Sequence, residues 1–316
     1  MKALLDTNVW RYVIDAGFEN SFSYLGRRSN LNICIAPAIV LETLRMTDIS
    51  IRAKIIELQT RACWNRLMPD AFLECEEVKR QMLRLHPEWE LKSKNINLFR
   101  KLRYDWLRTK GGFWETVQKN PAEMARQYQQ RDSATLEEVR QQHRDMRQSV
   151  MAAGEKMLNT KTLRDWKGSW TDAPTGKQVV VDAWRVYAIT VWTNMLSAAS
   201  PFKQWLGCEL DIEFILSYGL LDFVKFWEHE LKAEDVPRQW IRALIFGMQS
   251  ERKVTDGNAI DSSISVHAID VDVIFSGDKN FIAMLNWLNR EAPFKMAHGI
   301  LVKPGKSGIE EFIHLI

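Results

Sequence analysis

A chain of 316 residues with 46% hydrophobic content is long enough to bury at least one large core, which argues against a disordered protein. The formal net charge of +3 is small, yet residues 51–170 hold 24 Lys/Arg against 16 Asp/Glu, so the rest of the chain is acidic on balance. This uneven distribution is expected where one part of a protein attracts a polyanion and another gathers carboxylates.

Several classes of protein are disfavoured by the sequence. No unbroken apolar run approaches the roughly 20 residues of a membrane helix, and Asp6 interrupts the start of the chain before a signal peptide could form. We therefore expect a soluble, cytoplasmic protein with no membrane partner. The four cysteines show neither CxxC spacing nor pairing with histidine, which argues against a zinc site and a disulfide framework.

Strand and helix patterns alternate at both ends of the chain. At the start, "KALL" predicts a strand, "NVWRYVIDAG" a helix, "NICIAP" a second strand and "AIVLETLR" a second helix. Near the other end, "AIDSSISVHA" predicts a helix, "DVIFS" a strand, "NFIAMLNWLN" a helix and "GILVKPG" a last strand. Such alternation with short connections predicts an α/β protein with a three-layer α/β/α core and a central parallel sheet.

The middle of the chain has a different pattern. From about residue 50 to 250 nearly every periodic window has the helical period, and no convincing β alternation occurs. We therefore predict a discontinuous core, residues 1–50 and 250–316, interrupted by a large, mostly helical insertion, residues 51–249. Within the insertion, "DIEFILSYGLLDFVKFWEHELK" is apolar on more than one face and is expected to be buried.

Four acidic residues occupy matching positions in the predicted sheet. Asp6 and Asp278 follow strands, Glu42 lies in the first turns of a helix, and Asp261 opens the helix that leads into "DVIFS". Because the carboxyl ends of parallel strands meet at one edge, these side chains are expected to share a pocket. Taken singly, each has a structural explanation as a helix N-cap, a surface residue or a turn former. Their conjunction favours a functional site.

Carboxylates held close together raise each other's pKa and oppose full ionisation, so a positive charge is needed to offset them. Mg²⁺ and Mn²⁺ can do so, because they prefer oxygen ligands. A bound metal also lowers the pKa of a water molecule and stabilises the attacking and leaving oxygens of a phosphodiester displacement. The cluster therefore indicates metal-dependent hydrolysis of a nucleic-acid backbone.

Four stretches, "LLDTNVW", "IAPAIVLETLR", "GNAIDSSISVHA" and "DVIFSGDKNF", together resemble a PIN-domain nuclease, a metal-dependent family usually directed at RNA. The resemblance implies a PIN-like core whose acidic site is Asp6, Glu42, Asp261 and Asp278, with Thr7, Asn8 and Ser276 as polar supports. Asp6 is then expected to be the central metal ligand, completed by Asp261 and Asp278. Glu42 is expected either to bind a second ion or to orient the attacking water.

The chain departs from compact PIN domains in the 219 positions between Glu42 and Asp261. The resemblance does not explain this insertion. It also leaves open whether Asp256, or an acid of the insertion such as Asp211 or Glu213, joins the site. For Asp256, a supporting or turn role is favoured.

A basic and aromatic stretch of the insertion, "KSKNINLFRKLRYDWLRTKGG", is the best candidate for contact with single-stranded nucleic acid. Cations suit phosphates, and aromatic faces suit unstacked bases. The alternative is a basic solvated helix whose rings pack inward. The candidate residues are Lys92, Lys94, Arg100, Lys101, Arg103, Tyr104, Arg108 and Lys110.

The sequence therefore favours an endoribonuclease that depends on Mg²⁺ or Mn²⁺ and acts on RNA, with single-stranded regions as the expected substrate. By the resemblance, it is expected to be a toxin or defence effector restrained by an inhibitory or regulatory protein; a homo-oligomer stays open. Two alternatives remain. One is a non-catalytic PIN-like scaffold that docks another protein, and the other is a DNA-directed flap-type nuclease.

Overall fold

The computed structural model describes residues 1–22, 31–129, 167–172, 178–250 and 258–315, together with residues 141, 144, 145 and 148. The strands are β1 (Lys2–Leu5), β2 (Asn32–Ile35), β3 (Asn65–Arg66), β4 (Lys167–Asp172), β5 (Gln178–Asp182), β6 (Val273–Ser276) and β7 (His298–Leu301). None of the helices in these described ranges is both long enough and apolar enough to cross a membrane.

The α-helices are numbered here in chain order. They are α1 (Thr7–Asp15), α2 (Pro37–Leu44), α3 (Ile49–Gln59), α4 (Asp70–Leu85), α5 (Ile96–Leu107), α6 (Phe113–Lys119), α7 (Ala183–Ser197), α8 (Pro201–Leu206), α9 (Ile212–Ser217), α10 (Leu220–Lys225), α11 (Pro237–Ser250), α12 (Asn258–Ser265), α13 (Lys279–Glu291) and α14 (Lys306–Leu315). Shorter helical segments are Pro87–Trp89, Phe226–Glu230, Ala233–Asp235 and Val266–Ile269.

Five strands form one parallel sheet in the order β3-β2-β1-β6-β7. The central strand β1 pairs Leu4 with Cys34 of β2 and with Ile274 of β6. The chain first adds strands to one side of β1 and later to the other side. In parallel sheets, such a reversal opens a crevice outside the carboxyl ends of the strands. Here the reversal falls between β1 and β6, so the rule places the crevice at the carboxyl ends of these two strands.

The predicted α/β architecture is confirmed, and the physical reason is visible in the strands. All four residues of β6 and three of the four residues in both β1 and β2 are buried. Helices flank the sheet in a three-layer α/β/α arrangement, so these strands are near-continuous apolar runs rather than alternating ones. Every strand and helix predicted at the two ends of the chain is present.

The middle of the chain, where no strand is predicted from the sequence, contains the strand β3 and the pair β4–β5. β3 is the edge strand of the main sheet and pairs Asn65 with Cys34, so the sheet extends past the predicted boundary at residue 51. A two-residue strand is too short to display any period. β4 and β5 form a separate antiparallel pair, whose only sequence signal is the β-branched run "VVV" in β5.

The expectation that "DIEFILSYGLLDFVKFWEHELK" is buried was only half right. Ile215, Phe223 and Trp227 are fully buried, but Tyr218 is 83% exposed. The chain does not form one helix here, since α9 ends at Ser217 and α10 begins after Gly219. The break changes which residues face the core, so a pattern assigned to one continuous helix overestimates burial.

Apolar side chains from the sheet and from the middle of the chain belong to one buried cluster, which includes Leu4, Phe275, Trp192 and Trp227. The cluster is continuous across the predicted boundaries of the insertion. The 51–249 segment therefore packs on the sheet rather than standing apart from it.

Buried ion pairs join α4 to α11. The Arg242 guanidinium contacts Asp70 at 2.6 Å, and its Nε donates to Glu74 at 2.7 Å. Arg238 pairs with Glu77 of α4 and with Asp270, which precedes β6. Breaking such a pair would leave a buried charge without its partner, at a cost of about 3–5 kcal/mol. The pairs therefore hold α11 against α4 and against the segment that leads into β6.

Candidate acidic site

Asp6 lies where β1 ends and α1 begins, and it caps that helix. Its Oδ1 accepts a hydrogen bond from the Thr7 backbone N–H at 2.7 Å. Its Oδ2 accepts bonds from Asn8 Nδ2 at 2.9 Å and Ser276 Oγ at 2.6 Å. The side chain is only 5% exposed. One carboxylate oxygen thus serves the helix, while the other is oriented by groups from both α1 and β6.

Three predicted supports, Thr7, Asn8 and Ser276, connect the elements that carry the acids. The Thr7 hydroxyl donates to the Glu42 carboxylate and so joins α1 to α2. Asn8 Oδ1 accepts the Gly277 N–H at 2.7 Å, and Ser276 Oγ accepts the Asp278 N–H at 2.9 Å. The supports therefore bind the Glu42 carboxylate and the backbone of Asp278 as well as Asp6.

Asp278 is exposed and caps α13, where its Oδ1 accepts the N–H groups of Asn280 at 2.6 Å and Phe281 at 3.1 Å. The preceding Gly277 lies directly beneath the Tyr12 ring. A Cβ at position 277 would lie 2.6 Å from the Tyr12 hydroxyl, which is closer than a carbon atom can approach. The absence of a side chain at Gly277 lets the turn bring Asp278 beside α1.

The electrostatics show that the four acids influence each other. Burial, followed by the charges of Asp6, Glu42 and Asp278, raises the pKa of Asp261 to about 9. Burial, followed by the charge of Asp6, raises the pKa of Glu42 to about 7. The pKa of Asp6 is also raised, chiefly by burial, although its hydrogen bonds from Ser276, Thr7 and Asn8 oppose that effect. Carboxyl groups from four separate elements therefore lie within electrostatic range of one another.

Gln249 is a residue of this region that the sequence did not reveal. It lies in the last turn of α11, is 2% exposed, and its Nε2 donates to Asp261 Oδ2 at 3.4 Å. Within the described part of the chain, its Oε1 is buried and accepts no hydrogen bond. A glutamine in the apolar run "LIFGMQS" has no motif that would indicate a site. Its position depends on how α11 packs against α12.

The remaining acids named from the sequence do not join the cluster in the described structure. Asp256 lies outside the described residues. Asp211 caps α9, where its Oδ1 accepts the Phe214 N–H at 2.9 Å. Glu213 is exposed in the first turn of the same helix. Asp211 and Glu213 therefore have local explanations.

Among the described residues, no three or more His, Cys, Asp or Glu side chains are grouped so that they could hold one ion. The chemistry of the donors nevertheless fits Mg²⁺ or Mn²⁺. The four acids offer only oxygen atoms, and none forms a salt bridge with a described lysine or arginine.

The predicted nucleic-acid residues lie in and around α5, none of whose side chains is buried. Two of the eight are paired with carboxylates: Lys94 with Glu90, and Arg108 with Asp105 at 2.6 Å. The Arg108 guanidinium also lies over the Tyr104 ring, 5.5 Å from its centroid. The exposed side chains are Lys92, Lys94, Arg100, Lys101, Arg103, Tyr104 and Lys110.

The fold and the site together define an α/β protein with mutually interacting carboxyl groups at the carboxyl edge of a parallel sheet. In comparisons with known proteins, no family model, no curated protein and no solved structure matches the chain. Any more specific assignment depends on the chemistry of the site.

Proposed function

We propose that this chain is a PIN-like endoribonuclease that depends on Mg²⁺ or Mn²⁺. The observation that supports it best is the raised pKa of Asp261, to about 9: burial is the largest cause, and the charges of the other three acids add to it. Burying like charges together costs free energy that a purely structural cluster would not recover. Groups with strongly perturbed pKa values in a cleft are candidates for function for this reason.

Each acid has a role that follows from its surroundings. Asp6 is held by two side-chain donors and is the central ligand. Asp261 and Asp278 would complete the metal site. A bound divalent cation would supply charge stabilisation for the phosphodiester and a more acidic water.

Glu42 is suited to handle the proton of the attacking water, because a pKa of about 7 lies near the working pH. In the hydrolysis, the water oxygen bonds to phosphorus and its proton passes to the Glu42 carboxylate. The bond from phosphorus to the leaving oxygen breaks with its electron pair on that oxygen, which then takes a proton from solvent water. The Thr7 hydroxyl, which donates to Glu42, positions this carboxylate for the transfer.

The setting of the proposed enzyme follows from the resemblance. We propose that it acts in the cytoplasm on single-stranded regions of RNA, as a toxin or defence effector restrained by a protein partner. A PIN-like scaffold without activity and a flap-type DNA nuclease are the competing functions.

A cleavage assay distinguishes these functions. The purified chain is incubated with single-stranded RNA, single-stranded DNA and a DNA flap, in Mg²⁺, in Mn²⁺ and in EDTA. We expect internal cleavage of RNA that stops in EDTA and returns when Mg²⁺ or Mn²⁺ is added in excess. Cleavage that persists in EDTA contradicts the metal-dependent mechanism, and preferred cleavage of the flap favours the DNA nuclease. If no substrate is cut and a protein co-purifies with the chain, the scaffold is supported.

A further inference from the structure

The described residues include a second feature that the acidic site does not use, namely the outer face of α5. We define this α5 face by Arg100, Lys101, Arg103, Tyr104 and Leu107, which line a shallow depression on the surface. The apolar part of the depression comes from the Tyr104 ring and the Leu107 side chain, which are 58% and 49% exposed. The face therefore presents cations around an aromatic surface.

The three cations of the α5 face have no carboxylate partner among the described residues. Neighbouring cations of the same segment do have such partners, because Lys94 pairs with Glu90 and Lys119 pairs with Glu115. Three adjacent positive charges without counter-charges repel one another, and binding a polyanion relieves that repulsion.

The aromatic side chains of α5 divide between two directions. Phe99 and Trp106 pack against the buried cluster, whereas Tyr104 faces solvent. The Arg108 guanidinium lies against the Tyr104 ring and holds it in place. An exposed and oriented ring among cations is suited to stack an unpaired base whose phosphates contact the neighbouring charges.

Contacts connect α5 to the edge of the sheet at which the acids lie. Trp114 of α6 donates its indole N–H to the Trp106 carbonyl of α5 at 2.9 Å. On its other side, the Arg66 guanidinium lies 5.0 Å from the centre of a Trp114 ring. Arg66 is the last residue of β3, so its position is the carboxyl edge of the parallel sheet. These contacts join α5, through α6, to the edge of the sheet at which the acids lie.

A further contact brings the segment after α6 close to the acids themselves. The Arg45 guanidinium lies 5.9 Å from the centre of the Tyr128 ring, and Arg45 follows α2, the helix that carries Glu42. The charge of Arg45 lowers the pKa of Glu42, in opposition to the larger effect of burial. Residues 113–129 therefore bridge α5 and the rim of the acidic site.

We propose that the α5 face binds the single-stranded RNA substrate, with phosphates at Arg100, Lys101 and Arg103 and one unstacked base on the Tyr104 ring. This inference rests on the proposed function and assigns a substrate-binding surface to it. An anionic membrane surface would be the other polyanion, but a helix that lies in a bilayer presents its large rings to the lipid. Here, two of the three rings of α5, Phe99 and Trp106, pack on the buried cluster, and Tyr104 is the one that is exposed.

RNA binding in EDTA tests the α5 face independently of cleavage. Fluorescence anisotropy would follow a labelled single-stranded RNA of about 12 nucleotides, within the span of known single-strand sites. For the triple variant Arg100→Gln, Lys101→Gln, Arg103→Gln, we expect binding about 100-fold weaker at moderate salt and a plot of log affinity against log salt that is less steep by about 2. Tyr104→Ala is expected to weaken binding about tenfold, whereas Tyr104→Phe retains it.

The matched control removes three exposed positive charges elsewhere: Lys54→Gln, Arg290→Gln, Lys306→Gln. This control is expected to bind RNA within about twofold of wild type, because its positions lie on α3, α13 and α14 rather than on the α5 face. Since no α5 side chain is buried, the α5 variants should melt as wild type does.

Three outcomes would overturn the assignment. The first is wild-type protein that does not bind RNA, and the second is a triple α5 variant with unchanged RNA affinity and salt dependence. The third is binding of phosphatidylserine vesicles that the triple substitution abolishes while it leaves RNA binding unaffected. The outcome is separable from that of the proposed function. If α5 binds RNA but no RNA is cleaved in Mg²⁺, the nuclease is rejected and the α5 assignment stands. If RNA is cleaved but the triple variant binds RNA normally, the α5 assignment is rejected and the nuclease stands.

Discussion

Asp6→Asn is expected to lower the rate of RNA cleavage by about 10³-fold, which corresponds to about 4 kcal/mol of lost transition-state stabilisation. The substitution removes the central negative charge while keeping the size of the side chain. The new amide oxygen can still accept the Thr7 N–H that caps α1. The amide nitrogen, however, would face the Asn8 and Ser276 donors that now bond Oδ2, so the ligand oxygen is lost.

The control for this variant is Asp272→Asn, which makes the same chemical change at the opposite edge of the same sheet. Asp272 precedes β6, and its Oδ2 accepts the Lys2 N–H at 2.8 Å. Cleavage by this control should stay within about twofold of wild type, since surface substitutions away from a site have small effects. Equal cleavage by Asp6→Asn and wild type, with both proteins folded, would show that Asp6 takes no part in catalysis.

The second large effect concerns stability and pH in the absence of divalent cations. The folded-state pKa values of Asp261 (about 9) and Glu42 (about 7) lie above the ordinary values of 3.8 and 4.5. The folded protein then holds protons that the unfolded chain has released. Unfolding free energy therefore falls as pH rises, through about pH 4.5–7 for Glu42 and about pH 4–9 for Asp261.

Asp261→Asn removes the contribution of Asp261, because an amide does not ionise. In EDTA, the variant is expected to gain stability over wild type steadily as the pH is raised from about 5 to about 8.5. Urea unfolding at several pH values measures this difference. Asp222→Asn is the control, since Asp222 is exposed and pairs with Lys225; its curve should run parallel to that of wild type. A difference between Asp261→Asn and wild type that does not vary with pH would mean that the folded protein does not raise the pKa of Asp261.

The positions of Asp6 and Asp278 could be predicted from the sequence because local chemistry determines them. Each follows an apolar run and precedes a helix that its carboxylate can cap, and the structure shows both caps. The relation of these acids to Glu42 and Asp261 required only that the strands be parallel, which the alternation of elements predicts. The sheet of five parallel strands confirms that step.

What the sequence could not predict depends on contacts between distant elements. Gln249 reaches Asp261 because α11 packs against α12, and no local pattern encodes that packing. β3 consists of two residues, too few to have a period, yet it extends the sheet. The exposure of Tyr218 depends on a helix break at Gly219, which hydrophobic periodicity alone does not reveal.

The central claim is that side chains from separate parts of the chain bind one divalent cation together, and calorimetric titration with Mn²⁺ tests it most directly. Wild type is expected to bind Mn²⁺ saturably and to release protons as it does so, since the raised pKa values of Glu42 and Asp261 mean that binding must displace them. Asp6→Asn is expected to bind at least about tenfold more weakly, while Asp272→Asn binds as wild type does. No saturable binding by wild type, or equal binding by Asp6→Asn, would contradict the shared metal site.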